Sequence, residues 1–223
     1  DNKDTTTGAE SAYGKNNWTD SRLMKLLNSG YTSETTGGSL YYNAKSGNCY
    51  SGQNNATTTC DFTSTGIKNA ATRGLISDTT YYLGGYTTNA IYPNQIYGYE
   101  RGTTVYSGRS TTWKGKIALA YPSDYGYAAD LTKCNQQLSA YNDTTCTSNN
   151  WMKSIIAPNN GWLLTHRSDT ASQMWRVEST GFVNFYVYAY SARGVVPVLY
   201  LNSGTTFKSG TGTSASPYRL STS

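Results

Sequence analysis

The chain carries one histidine, four cysteines and thirteen acidic residues, so metal, thiol and acid–base chemistry have few places to sit. A metal site needs several ligands, and His166 is the sole imidazole. Beside Arg167, it reads as a surface-loop residue. Cys49 and Cys60 bracket one short loop, and Cys134 and Cys146 another. Neither pair has the C-x-x-C spacing of zinc or dithiol redox sites. Two local pairs in a chain rich in Tyr, Thr and Asn read as loop-closing disulfides, which implies an oxidising, exported location. His166, Ser168 and Asp169 make a Ser–His–Asp set in sequence only, and no G-x-S-x-G elbow presents a nucleophile. A glycosidase pair would have to come from Glu100, Asp124, Asp130, Asp143 and Glu178. Glu100 beside Arg101 reads instead as an ion pair or structural hydrogen bond, and Asp124 in PSDYG as a turn residue. The expectation is a protein that is not an enzyme and uses no metal or cofactor.

Recognition chemistry is plentiful by comparison. Twenty-one residues are Tyr. Between positions 165 and 193, Trp175, Tyr186, Tyr188 and Tyr190 accompany Arg167, Arg176 and Arg193. Tyr, Trp and Arg carry much of the energy at binding surfaces, because they offer area and hydrogen bonds at low entropic cost. Period two puts Phe182, Asn184, Tyr186, Tyr188 and Tyr190 on one face of a strand. Val183, Phe185, Val187 and Ala189 fall on the other, which is the natural core side. The tyrosine face is therefore expected outward, as an exposed aromatic patch of the kind that marks a contact surface.

The elements that must hold these residues are short. A length of 223 residues suits one domain with a sizeable core. Only 14% of the chain is charged, 13% is aromatic and the mean hydropathy is −0.57, which is not the composition of a disordered chain. The net charge of +5 is scattered, without a basic run, so no nucleic-acid partner is expected. The apolar stretches fall short of the ~20 residues of a membrane span. Residues 1–12 are polar and read as a flexible entry, followed by a single domain over 13–223. Asp1-Asn2-Lys3-Asp4 has no apolar h-region, so the chain reads as a mature or trimmed piece of an exported protein. Asp20 or Thr19 can cap a helix with Leu23, Met24, Leu26 and Leu27 on its buried side. Further helices are expected over 64–77 and after Ser148, the latter stopped at Ala157-Pro158. Strands are expected over 81–83, 116–121, 174–178, 182–188 and 195–201. Ser179-Thr180-Gly181 should turn a hairpin, and Val195-Val196-Pro197-Val198-Leu199 should form a central element with Pro197 outside a full ladder. The class is α+β, loop-rich, with short helices and a C-terminal antiparallel sheet.

The segments WTDSRLMKLLN, GNCYSGQNNATTTCDFTSTG, YYLGGY, YGYERGTTVYSGRSTTWKGKIALAYPSDYGYAAD and GVVPVLYLNSG resemble a family of bacterial surface proteins. That family's C-terminal half is similar to the C-type-lectin-like fold of formylglycine-generating enzymes and of the variable proteins of diversity-generating retroelements. Val196 stands where the family's closing pattern carries Arg. The four cysteines, paired as loop staples, do not carry over the formylglycine chemistry. Tyr92-Pro93-Asn94 lacks the acid of a calcium-lectin loop, and calcium needs several hard oxygens. The resemblance implies an extracellular, cell-surface recognition module, an adhesin or receptor-binding protein, whose ligand is a protein or glycan on another cell or host surface. Some relatives are pilin-linked, so the alternative is a structural subunit touching its sister subunits in a surface fibre or pilus. Lectin-like folds set ligand loops against the terminal strands. The contact surface implied is therefore Thr165, His166, Arg167, Asp169 and Thr170 together with Arg176, Glu178, Phe182, Asn184, Tyr186, Tyr188, Tyr190 and Arg193.

Overall fold

The structure, a computed structural model, describes residues 13–28, 32–33, 36–37, 39–48, 59–213 and 215–222. The flexible entry expected over 1–12 lies outside the described residues. The architecture is mixed α+β, built from short helices and antiparallel sheets. The helices are α1 (Arg22–Leu27), α2 (Leu40–Asn43), α3 (Ala70–Gly74), α4 (Pro93–Glu100), α5 (Pro122–Tyr127), α6 (Thr144–Ser148) and α7 (Lys153–Ile156). Their brevity follows from composition. Gly, Asn, Thr and Ser recur every few residues and offer the backbone turns and caps instead of further helical ladder. None among the described residues is long and apolar enough to cross a membrane.

The first small sheets are β1 (Thr32–Ser33) with β2 (Thr36–Gly37), and β3 (Ser46–Asn48) with β4 (Thr59–Asp61). They are followed by β5 (Thr79–Tyr82) paired with β6 (Thr112–Gly115). Next in the chain come β7 (Ile117–Leu119), β8 (Trp162–His166), β9 (Gln173–Val177) and β10 (Val183–Tyr188). The last three strands form the one three-stranded sheet among the described residues, in the order β10-β9-β8. β11 (Pro197–Leu199) pairs with β7, and β12 (Thr205–Ser209) with β13 (Arg219–Thr222).

The β10-β9-β8 sheet is buried on both faces. Alternation along β9 sends Trp175 and Val177 to one side and Met174 to the other. On the first side, Trp175, Val177, Val183 and Leu163 join a core with Ile96, Tyr125, Leu138 and Ile156 from the helical region 91–157. On the second, Trp162, Leu164 and Val187 join Trp18, Leu27, Tyr81, Ile117 and Leu119. The register between β9 and β10 shifts once. Asn184 faces Arg176, but Val187 faces Met174, so Phe185 and Tyr186 together oppose Trp175. This β-bulge transfers the inward side chains of β10 from the first core at Val183 to the second at Val187.

Several expectations are corrected here. The first helix is capped by Ser21, whose Oγ accepts from the Met24 N–H at 2.9 Å, while Asp20 ends a 3₁₀ turn, Trp18–Asp20. The helix expected over 64–77 shrinks to α3, because Asn69 caps at Ala71 and Gly74 ends the element. The run at 195–199 is not central: β11 pairs with β7 alone, and Leu199 and Val195 are exposed. Strand β8 went unforeseen although all five of its residues are buried. The 179–181 hairpin forms as expected, with Gly181 at φ +93°, a backbone conformation that favours glycine.

Polar side chains tie the layers. The buried Asn28 amide donates to the carbonyls of Met24 (2.8 Å) and Ile117 (2.9 Å), and its oxygen accepts from the N–H groups of Lys116 and Ile117. It thereby fixes α1 to β7. Cys134 and Cys146 form a disulfide with both residues fully buried. Cys60 is also disulfide-bonded, and Cys49, its expected partner, lies outside the described residues.

Leu27 is 2% exposed and sits in the second core. Leu27→Ala should therefore cost about 2–5 kcal/mol in urea unfolding. A loss below ~0.5 kcal/mol, the usual range for surface positions, would show that α1 is not packed there.

Candidate functional site

The site begins with a clamp. Asn16, 2% exposed, donates from its side-chain amide to the carbonyls of Thr170 (2.7 Å), Gln173 (3.0 Å) and Arg167 (3.2 Å). Its backbone N–H donates to the Ala171 carbonyl at 2.9 Å, and its Oδ1 accepts from Arg109 Nε at 3.2 Å. The 167–173 connection between β8 and β9 is thus closed around one asparagine, which satisfies carbonyls that would be costly to bury unpaired.

On this closed loop Arg167 is itself buried, at 7% exposed. Its Nε and Nη2 donate to the two Asp169 carboxylate oxygens, and its Nη1 to Gln173 Oε1 at 2.8 Å. The Arg167 guanidinium holds the Asp169 carboxyl below the usual carboxylate range. Its plane lies over the Tyr186 ring at 4.4 Å from the centroid and near Phe185 at 5.2 Å. Tyr186 is 62% exposed. An aromatic ring thus stands in water against a cation that is itself held by three hydrogen bonds. Beside it, Tyr188 stacks on Tyr13 (4.2 Å) and on Tyr190 (6.1 Å). Tyr190 is exposed, and its N–H donates to the Tyr13 carbonyl.

The expected single face is divided by the bulge. Tyr188 pairs with Gln173 and shares its side of the sheet, with Arg167 and Tyr186 nearby. Asn184 pairs with Arg176 on the opposite side, where Arg176 and Asn184 both bond the Glu178 carboxylate at 2.7 Å. Phe182 accepts the Glu178 N–H at the start of β10, and Arg193 feels the charges of Arg176 and Glu178. Arg176, Glu178, Asn184 and Arg193 therefore form a second, separate group. Thr165 and His166 are buried in β8, at 1% and 5% exposed, and present no contact surface. His166 is not a surface-loop residue: it pairs with Met174 across β9 and lines a cavity of about 10 Å³ with Asn16, Trp18 and Arg109. Thr170 meets the clamp through its carbonyl. Tyr13, Asn16, Arg109 and Gln173 were missed by sequence reasoning, since nothing local marks one Tyr or Asn among many. A further exposed aromatic patch was missed as well. Tyr97, Tyr127 and Trp151 are exposed, with the Arg101 guanidinium 3.4 Å above the Tyr97 ring.

The acid–base candidates are engaged structurally. Glu100 and Ser123 are fully buried, with the carboxylate accepting from the Ser123 N–H (2.9 Å), the Ser123 hydroxyl and Arg101 (3.2 Å). Asp124 accepts the Tyr121 N–H, Asp143 caps α6, and Asp130 bonds Thr132 and Lys133. The Asp169 carboxylate is engaged by Arg167. No group of three His, Cys, Asp or Glu that could hold a metal occurs among the described residues. Comparison with family models, curated proteins and solved structures gives no match to this chain.

Two buried groups titrate in opposite senses. Burial pushes the Glu100 carboxyl up to about 7 despite the Ser123 hydrogen bonds, and burial with the charge of Arg109 pulls His166 down to about 4. As pH falls from 7 towards 4.5, folded Glu100 takes up a proton that the unfolded chain refuses, so acidification stabilises through this group. As pH falls from 6.5 towards 4, unfolded His166 takes up a proton that the folded state refuses, so acidification destabilises through that one. Asp124, also raised by burial, acts in the sense of Glu100. Glu100→Gln should therefore make stability fall as pH drops from about 6.5 to 4.5, and His166→Gln should make it rise from about 7 to 4.5. Urea denaturation across that window reads both; profiles parallel to wild type would remove the assignment.

Proposed function

We propose that the chain is a recognition module, extracellular or displayed at a bacterial cell surface, with a C-type-lectin-like fold. Its ligand is a protein or glycan on another cell or host surface. The observation that carries this reading is Tyr186, exposed on a strand bulge and held under the Arg167 guanidinium. A Tyr/Arg pair whose geometry is fixed before binding loses little entropy on contact, which is the usual character of an energetic anchor. The Tyr13–Tyr188–Tyr190 stack extends the same surface. The buried Cys134–Cys146 disulfide supports an oxidising location.

One observation favours the second reading, a structural subunit of a fibre or pilus. The β12-β13 hairpin is a two-stranded sheet that carries Phe207 and Tyr218 exposed and in contact at 4.9 Å. Such a ribbon is marginal alone and gains from a sister chain laid over it.

Binding to a panel of intact bacterial and epithelial cells, read by flow cytometry, tests the first reading. Tyr186→Ala and Tyr190→Ala together should keep wild-type stability within about 1 kcal/mol, two exposed sites of ~0.5 each. They should weaken cell binding by roughly thirtyfold. Equal binding by wild type and variant would sink the proposed surface. Sedimentation showing concentration-dependent polymers that Phe207→Ser dissolves would select the fibre. Arg167→Ala should unfold more readily than either tyrosine variant, because it strands Asp169 and the buried Gln173 oxygen.

A further inference from the structure

Against the sheet face that carries Trp162 and Met174, a cavity of about 230 Å³ opens between the Trp18–Asp20 turn, α1 and the segment 189–195. Its walls are chiefly apolar, with Trp18, Leu23, Leu119, Trp162 and Met174, and Asn17, Ser21 and Tyr190 add polar groups. Its rim carries two cations, Lys15 and Arg193. Lys15 is already neutralised by Asp20 at 3.0 Å. Arg193 is not. The neighbouring Glu178 is held by Arg176 and Asn184, and no carboxylate lies within ion-pair distance of Arg193 among the described residues. The Arg193 Nη1 donates to its neighbour's carbonyl, Ala192, whereas its Nε is buried without an acceptor. The Trp18 indole N–H is likewise buried without an acceptor, in a side chain only 6% exposed that lines the cavity. Burial and the Arg176 charge lower the proton affinity of Arg193 by more than Glu178 and Tyr190 raise it.

An apolar chamber bordered by one unpaired cation and two idle N–H donors has a definite complement. We propose that this cavity binds a small monocarboxylate with an aromatic or aliphatic body. The carboxylate takes the Arg193 guanidinium and the Trp18 N–H, and the body lies against Trp162, Leu23 and Met174. Charge-assisted hydrogen bonds to a planar guanidinium suit a carboxylate, and removing both partners from water strengthens them. The volume is below the ~300 Å³ where drug-sized pockets begin, so the ligand has on the order of ten non-hydrogen atoms. The site does not rest on the Arg167–Tyr186 pair, although Tyr190, at the end of the neighbouring tyrosine stack, borders it.

The probe is 3-phenylpropionate, with 3-phenylpropanamide as its uncharged counterpart, titrated by calorimetry. A ¹⁵N spectrum follows the Trp18 indole N–H, assigned by the peak lost in Trp18→Phe. The acid should saturate at low millimolar concentration or below and bind about tenfold or more tighter than the amide. It should shift the Trp18 indole resonance. Arg193→Gln should erase the acid's advantage while leaving amide binding in place. Leu23→Trp, which fills the chamber, should remove both ligands with the melting temperature kept. Failure of the acid to saturate by ~10 mM would overturn the proposal, as would equal affinity for acid and amide, or an acid preference that survives Arg193→Gln. Loss of cell binding in the Tyr186 variant with carboxylate binding intact would keep the two sites apart.

Discussion

The structure depends on a three-stranded sheet packed against a core on each of its faces. Most small antiparallel sheets keep one side in water, and their strands alternate cleanly. Here Trp175 and Val177 enter one core while Trp162, Leu164 and Met174 border the other. Two cores must therefore be built from one chain, one from the helical segment 91–157 and one from the N-terminal segment with β5 and β7. Everything else follows from that division. Asn28 fastens α1 to β7, Asn16 closes the connection from β8 to β9, and Glu100 with Ser123 joins α4 to α5. Each is a buried polar group satisfied at the seam of a layer, where an apolar side chain would pack but would not fix orientation.

This arrangement explains how a chain with only 14% charged residues can hold a precise surface. Its exposed contact groups are not loops in the ordinary sense. They stand on the backs of buried strands, and their ring positions are inherited from the core through Arg167, Gln173 and the clamp at Asn16. The same logic places the cavity beside Arg193. Its floor is the second face of that sheet, and its walls are the N-terminal elements that cover it.

Much of the plan was legible in sequence. Apolar residue type gave the burial of Val183, Val187 and Ala189, though not the single face with Phe185 that period two implied; turn residues gave the 179–181 hairpin, and cysteine spacing gave the Cys134–Cys146 bridge. Three things were not legible. β8 reads Trp-Leu-Leu-Thr-His, a short apolar run without alternation, which periodicity cannot separate from a helix fragment. A strand buried on both sides has that pattern, so the signal was present as length and flanking Gly161. The bulge between Asn184 and Val187 leaves no mark in residue type, since Phe185 and Tyr186 suit a regular strand equally well. Long-range capture by Asn16, more than 150 positions from Gln173, has no local signature at all. His166 and Thr165 were misplaced for the first of these reasons: once β8 is a central strand, its end is interior.

The bulge in β10 also sets what this segment can tolerate. Residue identity at Tyr186 and Tyr190 is weakly constrained by packing, since both side chains are exposed. Chain length is constrained absolutely. Deleting one residue at the bulge would restore a regular ladder, turn Val187 away from the core it fills and Ala189 out of its buried position, and bring Tyr188 inward. An insertion would do equal harm in the other sense. The segment is thus open to substitution and closed to insertion and deletion. Over generations, such a surface can change what it touches without any change in the frame that presents it.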